Sequence, residues 1–254
     1  MLAQHGWAYE SSVWDCWREF LPEGWQFSTL DRGYFLSREE KNAGKFLHAA
    51  LPAWNGVDIS DRSRPSRNCD QELKILTAHS FGLHCLPIEL IQDADLLVII
   101  GGFEEFHASE RAVSRKAIQR MLVRLGSDYR AVLNDFYSAS FGVGGKVPAF
   151  VSMDYGRTCD LDLLSADLRQ LNEGRVCMDN LRLAKCALIL HGEQDSIVPV
   201  ERAHSLHERL PGSRLSLHRS AGHALPFTHP EWCLKQIVAA LAQVSPTSVE
   251  VPVS

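Results

Sequence analysis

No stretch of this 254-residue sequence is apolar for long enough to cross a bilayer, and no long apolar run follows the start. Neither a membrane span nor a secretory leader is therefore expected. The longest apolar run, near Leu96 to Ile100, has the length of a buried strand. A paired cysteine pattern is missing too. The seven cysteines, Cys16, Cys69, Cys85, Cys159, Cys177, Cys186 and Cys233, are odd in number and contain no C-x-x-C pair. That argues against a disulfide framework or a zinc site and predicts reduced thiols in a cytoplasm. Excess positive charge is also absent, and a formal net charge of −5 argues against bulk nucleic-acid binding. What remains is an ordinary globular composition, 45% hydrophobic and 22% charged, in a chain long enough for one sizeable core carrying an insertion.

The chain is organised around Leu73 to His84, an apolar strand that runs through Ala78-His79-Ser80-Phe81-Gly82 into a helix. A nucleophile elbow lifts a serine hydroxyl clear of a sheet on a sharp strand-to-helix turn, so the residues two before and two after it must be nearly free of side chain. Gly82 meets that demand fully and Ala78 meets it with one methyl. A serine between small residues also occurs in ordinary turns, so its partners decide the matter.

Two later stretches supply those partners in the order Ser, acid, His, which is the order of α/β-hydrolases. Asp195 follows the apolar run Cys186 to Leu190 in His191-Gly192-Glu193-Gln194-Asp195, and His223 follows Leu215 to His218 in Ser220-Ala221-Gly222-His223. All three positions fall in loops after strand C-termini, where open α/β sheets place their sites. An alcohol needs an imidazole to take its proton, and the imidazole needs a carboxylate to fix its tautomer. His5-Gly6-Trp7-Ala8, after the strand end Met1 to Gln4, offers an oxyanion loop. In this fold the N–H after the nucleophile, on Phe81, is paired with one from such a loop, on Trp7.

The combination of His5-Gly6-Trp7 with Trp14, Asp31-Arg32-Gly33-Tyr34-Phe35, the Ser80 elbow, Asp195 and Ala221 to Phe227 with His229-Pro230 resembles the biotin-pathway pimeloyl-[acyl-carrier protein] methyl ester carboxylesterases. The resemblance spans nearly the whole chain and implies a cytoplasmic, cofactor-free serine carboxylesterase. Position by position it implies Ser80, Asp195 and His223 as triad and Trp7 and Phe81 as oxyanion donors. It also implies an acyl-carrier protein as partner. The sequence departs from the superfamily at Ala78, where glycine is usual. It also begins almost on the oxyanion loop, so a sheet shortened at its N-terminal end is expected, either a compact version of the fold or a chain whose natural start lies upstream.

The expected architecture is an α/β-hydrolase fold, mostly parallel, with helices on both faces. Residues 1–103 and 181–254 form the core and 104–180 a helical lid. Within the lid, Val113, Ala117, Ile118, Met121, Leu122 and Leu125 form one apolar stripe. Tyr129, Val132, Leu133, Phe136 and Tyr137 form another, and Leu161, Leu164, Leu168 and Leu171 a third. His5, Phe103, Phe136, Tyr137 and Phe141 are the expected substrate contacts; for the lid aromatics, plain packing against the core is an equal alternative. Gly142 to Lys146 mimics part of a phosphate loop but lacks the strand before it and the Ser/Thr after it, which makes it a lid connection.

Elsewhere the patterns predict a helix over Ser12 to Phe20 with Val13, Trp14, Trp17 and Phe20 on one side, and a strand over Trp25 to Leu30. Phe46 to Leu51 reads as a helix, Asp58 to Asn68 as an exposed loop, Leu83 to Leu90 as a helix, and the tail from Ser245 as disordered. The first lid helix carries Arg111, Arg115, Lys116, Arg120 and Arg124 against Glu110, a basic face that reads either as solvated surface or as a docking site for an acidic carrier. Other readings stay open: a different esterase or thioesterase on the same fold, or a ligand receptor. A monomer without metal is expected.

Overall fold

Leu96-Leu97-Val98-Ile99-Ile100 is apolar at every position, a pattern that suits a strand covered on both faces. It lies within the sheet of the computed structural model, which describes residues 1–36, 73–107, 112–142 and 158–244. The strands are β1 (Leu2–Gln4), β2 (Ser28–Leu30), β3 (Phe35–Leu36), β4 (Ile75–His79), β5 (Leu96–Ile100), β6 (Thr158–Cys159), β7 (Ala187–Gly192) and β8 (Arg214–His218). Six of them form one sheet in the order β2-β1-β4-β5-β7-β8, every neighbouring pair parallel. The register sets Ala78 beside Ile99, Ile99 beside Ile189, and Ile189 beside Leu215. The short β3 and β6 pair antiparallel on their own.

Parallel strands need crossover segments, and helices on both faces supply them. They are α1 (Ile88–Asp93), α2 (Ala112–Phe141), α3 (Leu161–Glu173), α4 (Met178–Leu181), α5 (Glu201–Arg209), α6 (Leu225–Thr228) and α7 (Pro230–Val244). The two-residue period of the strands sorts their side chains into two cores. Leu76, Ala78, Leu97, Ile99 and Ile189 pack with Leu90 of α1, Leu181 of α4 and Leu206 of α5. Ile75, Val98, Ile100, Leu188 and Leu190 belong to the other core, with Trp14, Trp17, Phe227 and Ile237. Because each strand feeds both layers, shifting one by a single residue would exchange its two sets of partners.

Between β5 and β7 the chain runs through α2, β6, α3 and α4. Asp128, at φ −151 and ψ 74, interrupts α2, and its carboxylate accepts the Ala131 N–H at 3.0 Å, as a capping residue does. The two apolar stripes on either side of that break are therefore two helical segments. Leu125, Val132, Leu133 and Tyr137 are buried, while Ala117 is exposed and so leaves the first stripe. On α3, Leu164, Leu168 and Leu171 are buried as the third stripe requires.

Some local expectations change. Ser11–Phe20 is a 3-10 helix that buries Val13, Trp14 and Trp17, but Phe20 is 40% exposed. The expected strand from Trp25 shrinks to Ser28–Leu30, because Trp25 closes a turn onto the Pro22 carbonyl. The helix after the elbow is two pieces, a 3-10 turn Ser80–Cys85 and then α1, since Pro87 disfavours helical geometry at Leu86. Phe46 to Leu51, Asp58 to Asn68, Val143 to Lys146, Arg111 and the tail from Ser245 lie outside the described residues. Among those described, no helix is long and apolar enough to cross a membrane.

Candidate active site

A parallel sheet brings all its strand C-termini to one edge, and there the three separated motifs meet. Ser80 follows β4 directly, Asp195 lies just beyond β7, and His223 comes shortly after β8. His223 Nε2 is 2.9 Å from Ser80 Oγ, and His223 Nδ1 is 2.8 Å from Asp195 Oδ2. The three are buried, with Ser80 5% and His223 1% exposed.

The turn holds Ser80 at a positive φ of 53°, a left-handed conformation that costs an L-residue about 1–2 kcal/mol and must be imposed by its surroundings. Gly82 permits it. A Cβ there would stand 2.4 Å from the His5 carbonyl oxygen and 3.0 Å from that of Gln4, so the chain after the nucleophile presses directly on β1 and its loop. Ala78 is fully buried in the sheet, where its methyl is accommodated.

Asp195 is fixed by more than His223. Its Oδ1 accepts the backbone N–H groups of Ile197 and Val198, both at 2.8 Å, and His191 Nε2 lies 3.5 Å from its Oδ2. Burial by itself would raise the Asp195 carboxyl, but His223, His191 and the Val198 N–H outweigh burial and hold it below its ordinary value. Glu193, the nearby competitor for the role, is exposed. The group facing His223 is thus a carboxylate at neutral pH, and it favours the tautomer that leaves Nε2 free to accept the serine proton.

Beside the nucleophile runs the loop from β1. A Cβ at Gly6 would lie 3.0 Å from Ser80 Cβ, which puts the Gly6-Trp7 peptide against the elbow. Phe136 of α2 presents its ring edge-on to Trp7 at 5.1 Å and lies 6.5 Å from the His223 ring. The other expected substrate contacts are placed differently. His5 has no exposed side-chain surface: its Nδ1 donates to the Gly6 carbonyl and its Nε2 accepts the Arg32 N–H. Phe103 is fully buried against His84 and Phe106. Tyr137 donates its hydroxyl to the Ala8 carbonyl, and Phe141 is half-buried against the core.

The sequence patterns left several contributors unmarked. His79 is fully buried, its Nε2 donates to the His223 carbonyl at 3.0 Å, and its ring centroid is 4.9 Å from that of His223. Burial and the neighbouring His223 push His79 well below the ordinary histidine range, so it stays neutral. Asp167 is 2% exposed and takes Arg32 Nε and Nη2, each at 2.7 Å, and the Tyr34 hydroxyl at 2.6 Å. A charged residue on the Leu164, Leu168, Leu171 face of α3 was the available signal. Among the described residues no group of three or more His, Cys, Asp or Glu is placed to hold a metal ion.

No protein-family model matches the chain. Its structure is similar to an esterase from Exiguobacterium antarcticum, with a TM-score of 0.69 at 14% identity over 95% of this chain and 92% of that one. It is similar to an esterase from Rhodococcus sp. ECU1013, with a TM-score of 0.60 at 19% identity over 96% and 90% of the two chains. A bromoperoxidase from Bacillus anthracis gives a TM-score of 0.61 at 19% identity over 96% and 90%. In sequence, 81 residues, 30% of this chain, are 40% identical to the serine hydrolase BPHL of Mus musculus. That match spans 28% of the mouse protein's length. The chain has the α/β-hydrolase fold.

Proposed function

We propose that this protein is a serine hydrolase of carboxylic esters, and the observation that carries the reading is the continuous relay Ser80 Oγ, His223 Nε2, His223 Nδ1, Asp195 Oδ2, joined at 2.9 and 2.8 Å. Ser80 attacks the ester carbonyl while His223 takes its proton, and Asp195 stabilises the imidazolium. The backbone N–H groups of Trp7 and Phe81 donate to the oxyanion. Collapse of the tetrahedral intermediate expels the alcohol, which leaves with the proton from His223. Water, activated by the same histidine, then attacks the acyl-serine, and the acid and free Ser80 are released. In this reading Phe136, edge-on to Trp7 and 6.5 Å from the His223 ring, is the aromatic that meets the substrate. The test is labelling with a fluorophosphonate together with hydrolysis of p-nitrophenyl acetate. The parent should label and turn over, and Ser80→Ala should lose labelling and about 10⁴-fold or more of kcat. An unlabelled parent would leave the receptor reading instead.

The finer reading is that the ester is the methyl ester of a pimeloyl chain on an acyl-carrier protein. Two observations support it: the resemblance of the site motifs and a basic face on α2, where Lys116 and Arg120 are exposed and Arg115 is half-buried. Arg124 is engaged by Asp135 at 2.9 Å, which leaves Arg115, Lys116 and Arg120 as the docking groups among the described residues. Charges of this kind act on encounter and fade with salt. Reversing these three to Glu should lower kcat/KM on the carrier-bound ester by about tenfold at low salt and leave a small free ester unchanged. Equal rates on both substrates would end the carrier reading without touching the esterase one.

A further inference from the structure

The Gly6-Trp7-Ala8 loop is hydrogen-bonded by the segment between β5 and β7. Trp7 Nε1 donates to the Leu164 carbonyl of α3 at 2.9 Å. The Ala8 carbonyl accepts the Tyr137 hydroxyl of α2, and Ala8 itself sits at a positive φ of 60°. On its other side the loop is held through His5, whose ring bridges the Gly6 carbonyl and the Arg32 N–H at 2.8 and 3.0 Å. Arg32 is in turn clamped by Asp167 of α3 through two parallel hydrogen bonds. One helix therefore grips the loop at two points, Leu164 and Asp167, one turn apart.

Asp167 is an expensive way to join two elements. Such a pair contributes little net stability compared with apolar residues of the same shape, because the Asp167 carboxylate loses its water and the Arg32 guanidinium, 31% exposed, loses part of its own. What the pair supplies is direction. A bidentate guanidinium–carboxylate contact fixes orientation as well as distance, and the Tyr34 hydroxyl occupies a further site on the same carboxylate. Burial and the Asp167 charge hold the Tyr34 phenol well above its ordinary value, so it remains a donor.

We infer that Asp167 is a positioning residue for the oxyanion hole: through Arg32 and His5 it sets the Gly6-Trp7 peptide, while Leu164 of the same helix sets the Trp7 ring. The inference rests on the esterase reading above. Oxyanion stabilisation demands donors at a defined distance from the developing charge, and displacement by a fraction of an ångström weakens the transition state more than the bound substrate. The segment between β5 and β7 and the oxyanion loop then form one mechanical unit.

The experiment uses the full chain, with p-nitrophenyl acetate as substrate and an alkyl trifluoromethyl ketone, which adds Ser80 and presents an oxyanion, as transition-state probe. Asp167→Asn should lower kcat by about tenfold to hundredfold, leave KM within about twofold, and weaken the ketone by the same factor as kcat. Because Asp167→Asn leaves the half-buried Arg32 beside an uncharged partner, a second variant separates stability from positioning. Arg32→Met/Tyr34→Phe/Asp167→Leu replaces the whole cluster by apolar groups, and it should keep the parent's melting temperature while losing kcat and ketone affinity in parallel. Tyr34→Phe alone, the mildest change, should lose about threefold in both. If the triple variant folds and keeps the parent's kcat and ketone affinity, the cluster is only a structural pin and the inference is overturned. It is equally overturned if Tyr34→Phe and Asp167→Asn change KM and kcat together. A parent that hydrolyses no ester, or a Ser80→Ala variant that matches it, would instead overturn the esterase reading itself.

Discussion

Ser80 and Ala8 are the non-glycine residues at positive φ among those described, at 53° and 60°, and they flank the same reaction centre. They are held in opposite ways. The Ser80 turn is enforced by its own strand, by the 3-10 turn that follows, and by Gly82 pressed on the backbone of β1 and its loop. Ala8 and its neighbours are held by groups from far along the chain, the Tyr137 hydroxyl, the Leu164 carbonyl and, through Arg32, the Asp167 carboxylate. Strain of about 1–3 kcal/mol at each turn persists only where the surroundings over-determine it. The Ser80 turn is therefore a local device of strand and glycine, braced by one backbone contact with β1 and its loop, and the Gly6-Trp7-Ala8 loop is a tertiary one.

That contrast can be broken most severely at the relay. Asp195→Asn should leave the fold intact and lower kcat by about 10³ to 10⁴, since His223 would be held in the wrong tautomer. A Glu193 variant that loses more activity than Asp195→Asn in the same assay would move the acid to Glu193. The next largest effect tests the local device. Gly82→Ala forces a methyl to within 2.4 Å of the His5 carbonyl oxygen, so it should cost about 1–3 kcal/mol in denaturant unfolding and about 10² in kcat. Wild-type stability and rate in that variant would show that the elbow does not depend on its contact with β1.

Acid unfolding comes next in size. His79, His84 and His191 are all depressed by burial, His84 to about 4. In the unfolded chain each titrates at about 6.5, so below that pH the unfolded state binds more protons than the native one and stability falls. Above about 6.5 their contribution is fully present. Between about 6.5 and 4 His84 removes up to roughly 1.4 kcal/mol per pH unit, His79 and His191 act in the same direction, and a melting temperature flat across this window would contradict the neutral state assigned to them. The smallest effect tests the tertiary device. Tyr137→Phe removes one hydrogen bond to Ala8 and should cost about 1 kcal/mol and less than tenfold in kcat, with the trifluoromethyl ketone weakened to match. A kcat loss without weaker ketone binding would point to the substrate side instead.

The legibility of the site follows the same division. Ser80, Asp195 and His223 were readable because each sits in a loop after an apolar strand, and a parallel sheet brings such loops to one edge. His5 and Phe103 stand next to the motifs in sequence, but position there cannot say which way a ring points; in the fold both His5 nitrogens are engaged by backbone and Phe103 is fully buried. Asp167 escaped notice as one charge within an apolar stripe, since its partners Arg32 and Tyr34 lie more than a hundred residues earlier.

By itself, then, the sequence determined the alternation that sorts strand residues into two cores, the small residues that allow the Ser80 turn, and the chain order of Ser80, Asp195 and His223. These depend on backbone periodicity and on side-chain size at fixed short spacings, which are properties of a local stretch. Tertiary structure alone decided that Phe136 reaches His223 at 6.5 Å, that His79 donates to the His223 carbonyl, and that α3 grips the Gly6-Trp7-Ala8 loop. The reason is physical. A buried charge or carbonyl finds its partner by which surfaces pack together, and that is settled only when the whole chain has closed around the sheet.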